Sequence, residues 1–287
     1  TSANIAPITD LNLSKNLLAI FPESIVLSST LSNLDLSSNE IANLKGIEKV
    51  KSLTQLKLGT NKIKKLPKEI SQLSNLRVLE LENNLIDSIN NEITNLEDLT
   101  NLDLSKNKIL YMPKDLSKLK NLKNLDMNEI GKVFPELTQI ESLNSLSSAG
   151  NNIDKLPANF ENLKQLRSIN LKNNNFSMFP ADIIKLPEMR MIDFGFNKLN
   201  AIPLEIQNLV NLNNLSINDN LLDKLPAEFA KLTNLRSLRA DNNKLTTLPQ
   251  EFSSLANLKI ISLKGNKFED SERAKIQQMF PKVRIMF

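Results

Sequence analysis

The side chains able to do chemistry in this 287-residue chain are carboxylates, amides and bases set at regular intervals. Glu80, Asp103 and Asp126 follow one another at 23-residue steps, and Asp35 falls in the same series. On neighbouring strands such carboxylates could share a proton as an acid/base pair or hold a hard cation. The rest of the inventory argues against that chemistry. The chain has no cysteine and no histidine, which removes thiolate and imidazole as nucleophile, base or metal ligand. It carries neither a G-x-x-x-x-G-K-S/T phosphate loop nor a G-x-G-x-x-G turn. The carboxylates read better as an acidic recognition face. No catalytic, cofactor-binding or metal-binding residue is assigned, and the chain reads as non-enzymatic.

The even spacing has its origin in a repeat. Residues 99–109, LTNLDLSKNKI, read L-x-x-L-x-L-x-x-N-x-I. The Asn marker recurs from Asn16 to Asn266 at steps of 22 or 23, with one double step from Asn107 to Asn151. Twelve repeats fit, the sixth without its marker, and a period in this range denotes a solenoid. Leu and polar residues alternate through 34–36, 102–104 and 215–217, the pattern of a strand with one buried face. About twelve such strands can pair side by side in parallel, each coil burying its apolar side only against its neighbours. Nine prolines share a second phase, with apolar residues three and six positions later, as in Pro67, Ile70 and Leu73. That spacing predicts a short helix or 3-10 segment opposite the sheet, with proline in its first turn. The repeated Asn has a reason too. A carboxamide donates and accepts, so it can satisfy backbone groups left without ladder partners where the chain turns.

Stretches such as LPKEISQLSNLRVLELENNLI (66–86) and LPAEFAKLTNLRSLRADNNKL (225–245) resemble leucine-rich repeats of the L-P-x-x-I/F-x-x-L-x-N-L-x-x-L-x-L-x-x-N-x-L type. The match runs over residues 8–268, and the end, SERAKIQQMFPKVRIMF, resembles the helix-plus-strand cap of bacterial members. The resemblance implies one leucine-rich repeat domain over 1–287: a right-handed curved α/β solenoid, parallel sheet concave, cap at about 269–287, with protein binding its usual role. Three departures matter. The spacing around 127–143 is one residue short twice, which predicts a tighter turn, a break in the Asn ladder and a change of curvature near 127–150. Ser148 and Ala240 stand where a large apolar residue belongs. No cap precedes Ile8, so Leu11, Leu13 and Leu18 lack an earlier coil. Missing upstream residues, a fold-over of residues 1–7 or another chain would cover them.

On each strand the residue between the last two apolar positions, and the one two before it, point away from the core. Two regions of that face stand out. Asp35, Glu80, Asp103 and Asp126 form an acidic stripe interrupted by Lys57, and like charges across strands are unfavourable by tenths of a kcal/mol. A basic partner would justify them; a structural role would not. The second region centres on Met191 and Asp193, with Arg190, Arg167, Arg236 and Arg239 around them, and with Phe196 either exposed or tucked into its turn. Glu82 and Asp87 read as solvated.

Net charge is +4, all of it from residues 244–287 with eight basic and four acidic side chains. One Tyr and no Trp leave little for bases to stack on, so nucleic acid is not the expected partner. No apolar run approaches the ~20 residues of a membrane span, and TSANIAP does not read as a signal peptide. Three functions fit: a scaffold binding a protein on its concave face, a targeting segment of a larger enzyme, or a surface protein that self-associates through its N-terminal edge. The cap and the Lys/Asn-rich composition favour an exported bacterial protein.

Overall fold

The computed structural model describes residues 8–22, 25 and 30–287. The chain forms two compact units, Thr1–Leu143 and Asn144–Phe287. Their boundary falls inside the stretch of short repeat spacing.

In the first unit six three-residue strands follow one another: β1 (Asp10–Asn12), β2 (Asn33–Asp35), β3 (Gln55–Lys57), β4 (Val78–Glu80), β5 (Asn101–Asp103) and β6 (Asn124–Asp126). Each pairs in parallel with the next, first residue to first and third to third. In β2 to β6 the middle residue is a buried leucine: Leu34, Leu56, Leu79, Leu102 and Leu125. The second unit repeats the plan in β7 (Ser145–Ser147), β8 (Ser168–Asn170), β9 (Met191–Asp193), β10 (Asn214–Ser216), β11 (Ser237–Arg239) and β12 (Ile260–Ser262). A seventh strand, β13 (Arg284–Met286), pairs with β12 after the ten-residue helix Asp270–Met279. The period-2 alternation of L-x-L is what gives the strands β2 to β11 one buried and two outward residues each.

The half of each coil away from the sheet is a short 3-10 turn in most repeats, as in Lys68–Gln72 and Leu204–Asn208, and one four-residue α-turn, Ala181–Ile184. Proline sits one place earlier than the first turn in most of them. Pro67, Pro180, Pro203, Pro226 and Pro249 are N-caps with extended backbone, while Pro135 lies inside its turn. A cap keeps the proline carbonyl as an acceptor, which takes the amide three residues on, as Ile70 N–H does to Pro67 O at 3.1 Å. The residues three and six after each N-capping proline are buried, among them Ile70, Leu73, Phe229 and Leu232. Each such side chain stabilises the fold by roughly 1.5–3 kcal/mol on the area scale.

The Asn ladder is present in both units. Asn107 is 5% exposed; its Nδ2 donates to Leu81 O, Leu104 O and Ser105 O at 2.9, 3.0 and 3.2 Å, and its Oδ1 accepts Ile86 N–H at 3.0 Å. Asn84, Asn174, Asn197, Asn220 and Asn243 repeat the pattern. The marker lost from the sixth repeat is replaced by buried Ile130, whose side chain is apolar. Ser148 is fully buried, and its Oγ accepts Asn151 Nδ2 at 2.8 Å. The small residue there serves the polar ladder instead of the apolar core. Leu11, Leu13 and Leu18 are half-buried where their counterparts Leu34, Leu36 and Ile41 are fully buried, the first three having no described coil before them. Residues 1–7, named as one candidate cover, lie outside the described residues.

Asn107→Leu deletes four hydrogen bonds and leaves buried backbone groups of two coils unpaired. Urea denaturation should register a loss of about 1–3 kcal/mol; an unchanged midpoint would count against the ladder.

Candidate interaction site

In the first unit the outward third positions line up Asn12, Asp35, Lys57, Glu80, Asp103 and Asp126 in register. The acidic stripe is therefore real as a row, yet its members have a structural task that sequence reasoning denied them. Asp35 Oδ1 accepts the Ser37 amide at 2.9 Å, Asp103 Oδ1 the Ser105 amide at 2.8 Å, and Asp126 Oδ1 the Asn128 amide at 2.9 Å. Each is an Asx turn that reverses the chain after its strand. Asn12 and Asn170 do the same at 2.8 and 3.1 Å, so the turn needs a short acceptor and not a charge. Glu80 is too long for that bond and instead meets Lys57, Nζ to Oε1 3.2 Å; both ends are about a third exposed. Such a pair is worth roughly 0–1 kcal/mol. Asp35 and Lys57 also line a groove of about 250 Å³ with Asp10 and Gln55, from which Glu80, Asp103 and Asp126 are absent.

Two carboxyls of this unit are raised above their usual range. Burial pushes Asp126 up to about 6, opposed by the Asn128 amide and reinforced by the charge of Asp103. Glu82, expected to be solvated, is half-buried and raised by burial, because its carboxylate lies flat on Gly59. A Cβ at Gly59 would come within 1.8 Å of Glu82 Oε1, so a larger residue there would push the carboxylate aside. Asp87 is also half-buried and accepts Ser88 Oγ at 2.7 Å.

In the second unit the predicted cluster separates into three parts. Met191, Asp193 and Arg239 line one groove of about 350 Å³ together with Asn170 and Ser216. Met191 is 49% exposed at its floor, an unusual place for a large apolar side chain. Asp193 is held by the Gly195 amide at 2.8 Å.

Phe196 stands in the turn after β9 and does not tuck in. It is 47% exposed, with Lys172 Nζ 5.0 Å above its ring centre. Its φ is +56°, a left-handed conformation that a bulky side chain adopts at a cost of about 1–2 kcal/mol. The position is left-handed in other coils too: Asn83, Asn173 and Asn242 hold it with a short polar side chain that tolerates it, and Lys15, Thr60, Lys106 and Glu129 adopt it as well.

Arg167, Arg190 and Arg236 lie outside the groove, each one residue ahead of its strand. Backbone hydrogen bonds fix them as a column: Arg190 N–H to Arg167 O, Asn213 N–H to Arg190 O, Arg236 N–H to Asn213 O and Lys259 N–H to Arg236 O, all 2.8 Å. Sequence reasoning listed the arginines as neighbours and missed Lys259, although the place just before each L-x-L triplet would have found it. Lys172 was missed for the same reason, since it belongs to Phe196 by the period and not by proximity in the chain.

Two family models match the chain, Leucine-rich repeat region over residues 18–150 and Leucine rich repeat over 210–268. No curated protein matches it. Among solved structures, an internalin of Listeria monocytogenes is 22% identical with a TM-score of 0.73, over 97% of this chain and 86% of that one. An LRR protein of Leptospira interrogans is 27% identical with a TM-score of 0.50, over 98% and 96%. A plant peptide hormone receptor in complex with RGF2 is 26% identical with a TM-score of 0.56, over 91% and 52%.

Two expectations follow for these side chains. Asp126 has a folded pKa of about 6 against about 3.9 unfolded, so between those values the folded state holds the proton more tightly. Its contribution to stability therefore declines as pH rises from about 4 to about 6. Asp126→Asn keeps the turn acceptor and removes that slope; denaturation at acid and neutral pH should show the variant gaining on the native chain only at neutral pH. Phe196→Asn should stabilise the fold by about 0.5–1 kcal/mol, the relief of left-handed strain less the Lys172 contact. A destabilised variant would refute the strain.

Proposed function

The chain belongs to the leucine-rich repeat family, and from that premise we propose that it is a non-enzymatic scaffold that binds a protein partner on the outward, concave face of its strands. The groove at β9 is the anchor. The observation that carries this reading is Met191, half-exposed on a face where most other positions are small or polar. An exposed Phe196 on the turn beside it supports it, a large aromatic side chain left open to solvent. Aromatic, Met and Arg side chains are what interface centres are enriched in. The turn-capping role of Asp35, Asp103 and Asp126 moves the acidic row to second place. Asn would cap as well without cross-strand repulsion, which keeps a basic partner as that row's role.

A similar solved structure supports the same class: the plant peptide hormone receptor is in complex with RGF2. No helix among the described residues is long and apolar enough to cross a membrane. We place the protein outside the cytoplasm of a bacterium, on the strength of its Lys/Asn-rich composition and its terminal helix and strand. Regulation of an attached enzyme and self-association through the first coil are the alternatives.

Met191→Asp puts a charge at the groove floor without touching the core. A partner identified by affinity capture on the native chain should bind the variant at least about tenfold more weakly in direct titration, with thermal stability unchanged. Undiminished binding would contradict the groove as anchor.

A further inference from the structure

The column Arg167, Arg190, Asn213, Arg236 and Lys259 runs along one end of β8 to β12, and its four cations are exposed. Arg167 meets Glu188 at 3.7 Å, whereas Arg190, Arg236 and Lys259 enter no ion pair among the described residues, nor does Arg239 in the groove. The acids at the other end of the strands do not answer them, being occupied locally. Asp193 takes the Gly195 amide, Asp219 the Asn218 and Asn242 amides, and Asp241 the Ser262 hydroxyl and the Lys264 amide. In the first unit the same column reads Thr9, Ser32, Thr54, Arg77, Thr100 and Lys123, so the dense run of cations belongs to the second unit alone.

We propose that this row selects the partner: it takes an extended acidic segment of another protein, laid across the strands beside Met191. The inference rests on the groove as the binding face and names the chemistry it recognises. Four strand spacings span about 19 Å, the length of about six extended residues. Carboxylates along one edge of such a segment meet the row, and an apolar side chain on its other edge reaches Met191. A nucleic acid fits less well. Its phosphates would also face Asp193, Asp219 and Asp241, and Phe196 alone is too little for stacked bases. Charge complementarity of this kind sets selectivity and encounter rate and is screened by salt.

The test is fluorescence anisotropy with three labelled probes: a peptide of about six alternating Glu and Leu residues, its Lys/Leu counterpart and a single-stranded DNA of equal charge. The native chain should bind the Glu/Leu peptide alone, more weakly as salt rises. Arg190→Glu with Arg236→Glu should weaken it by about tenfold or more, and Lys198→Glu, an exposed lysine outside the row, by less than about twofold. Circular dichroism checks that the variants stay folded. No binding of the peptide, binding unchanged by the double reversal, or tighter binding of DNA that the reversal abolishes would each overturn the proposal. If a captured partner depends on Met191 and ignores the double reversal, the groove stands and the acidic segment falls. If the peptide depends on the row and Met191→Asp changes nothing, the row stands and the groove falls.

Discussion

Everything in this molecule depends on one side-chain amide repeated along it. A coil of 22 or 23 residues turns too tightly after its strand to satisfy its own backbone, and the Asn carboxamide does so for two coils at once. With the polar groups met, leucines stacked above and below can stay dry. Neither device works alone: a single coil has no neighbour to hide its leucines, and a stack without amides would bury unpaired carbonyls. Strand register, the 3-10 turns and the outward face all follow from that pairing of a polar ladder with an apolar one.

The outward face is thereby relieved of any part in holding the fold. Two residues of each strand face solvent or a partner, and their identities vary from coil to coil while the buried ones do not. The limit on this freedom is the turn: where the third strand residue is Asn or Asp it often caps that turn, as Asn12, Asp35, Asp103, Asn170 and Asp193 do. Lys57, Glu80 and Arg239 stand in the same place without that role; Lys57 and Glu80 pair with each other, and Arg239 lines the groove at β9.

Much of this could be read from the chain. L-x-L alternation placed the strands, the Asn period placed the ladder, and proline phase placed the 3-10 turns to within one residue. What escaped was local and polar. An Asx turn leaves no apolar period, so Asp35 and Asp103 looked like pure surface charge. Glu82 looked solvated because its burial depends on Gly59 one coil earlier. Phe196 could be assigned to no side of its turn until its backbone angle was known. The row ending at Lys259 is spread over five repeats and appears only when coils are stacked.

The ladder has a consequence for how the chain comes apart. Within a unit each Asn amide ties the coil before it to its own, so a coil that opens takes hydrogen bonds of its neighbour with it. Fraying there proceeds coil by coil, and the coils in the middle of each unit, such as those of Asn84 and Asn220, are the last to exchange their amide hydrogens.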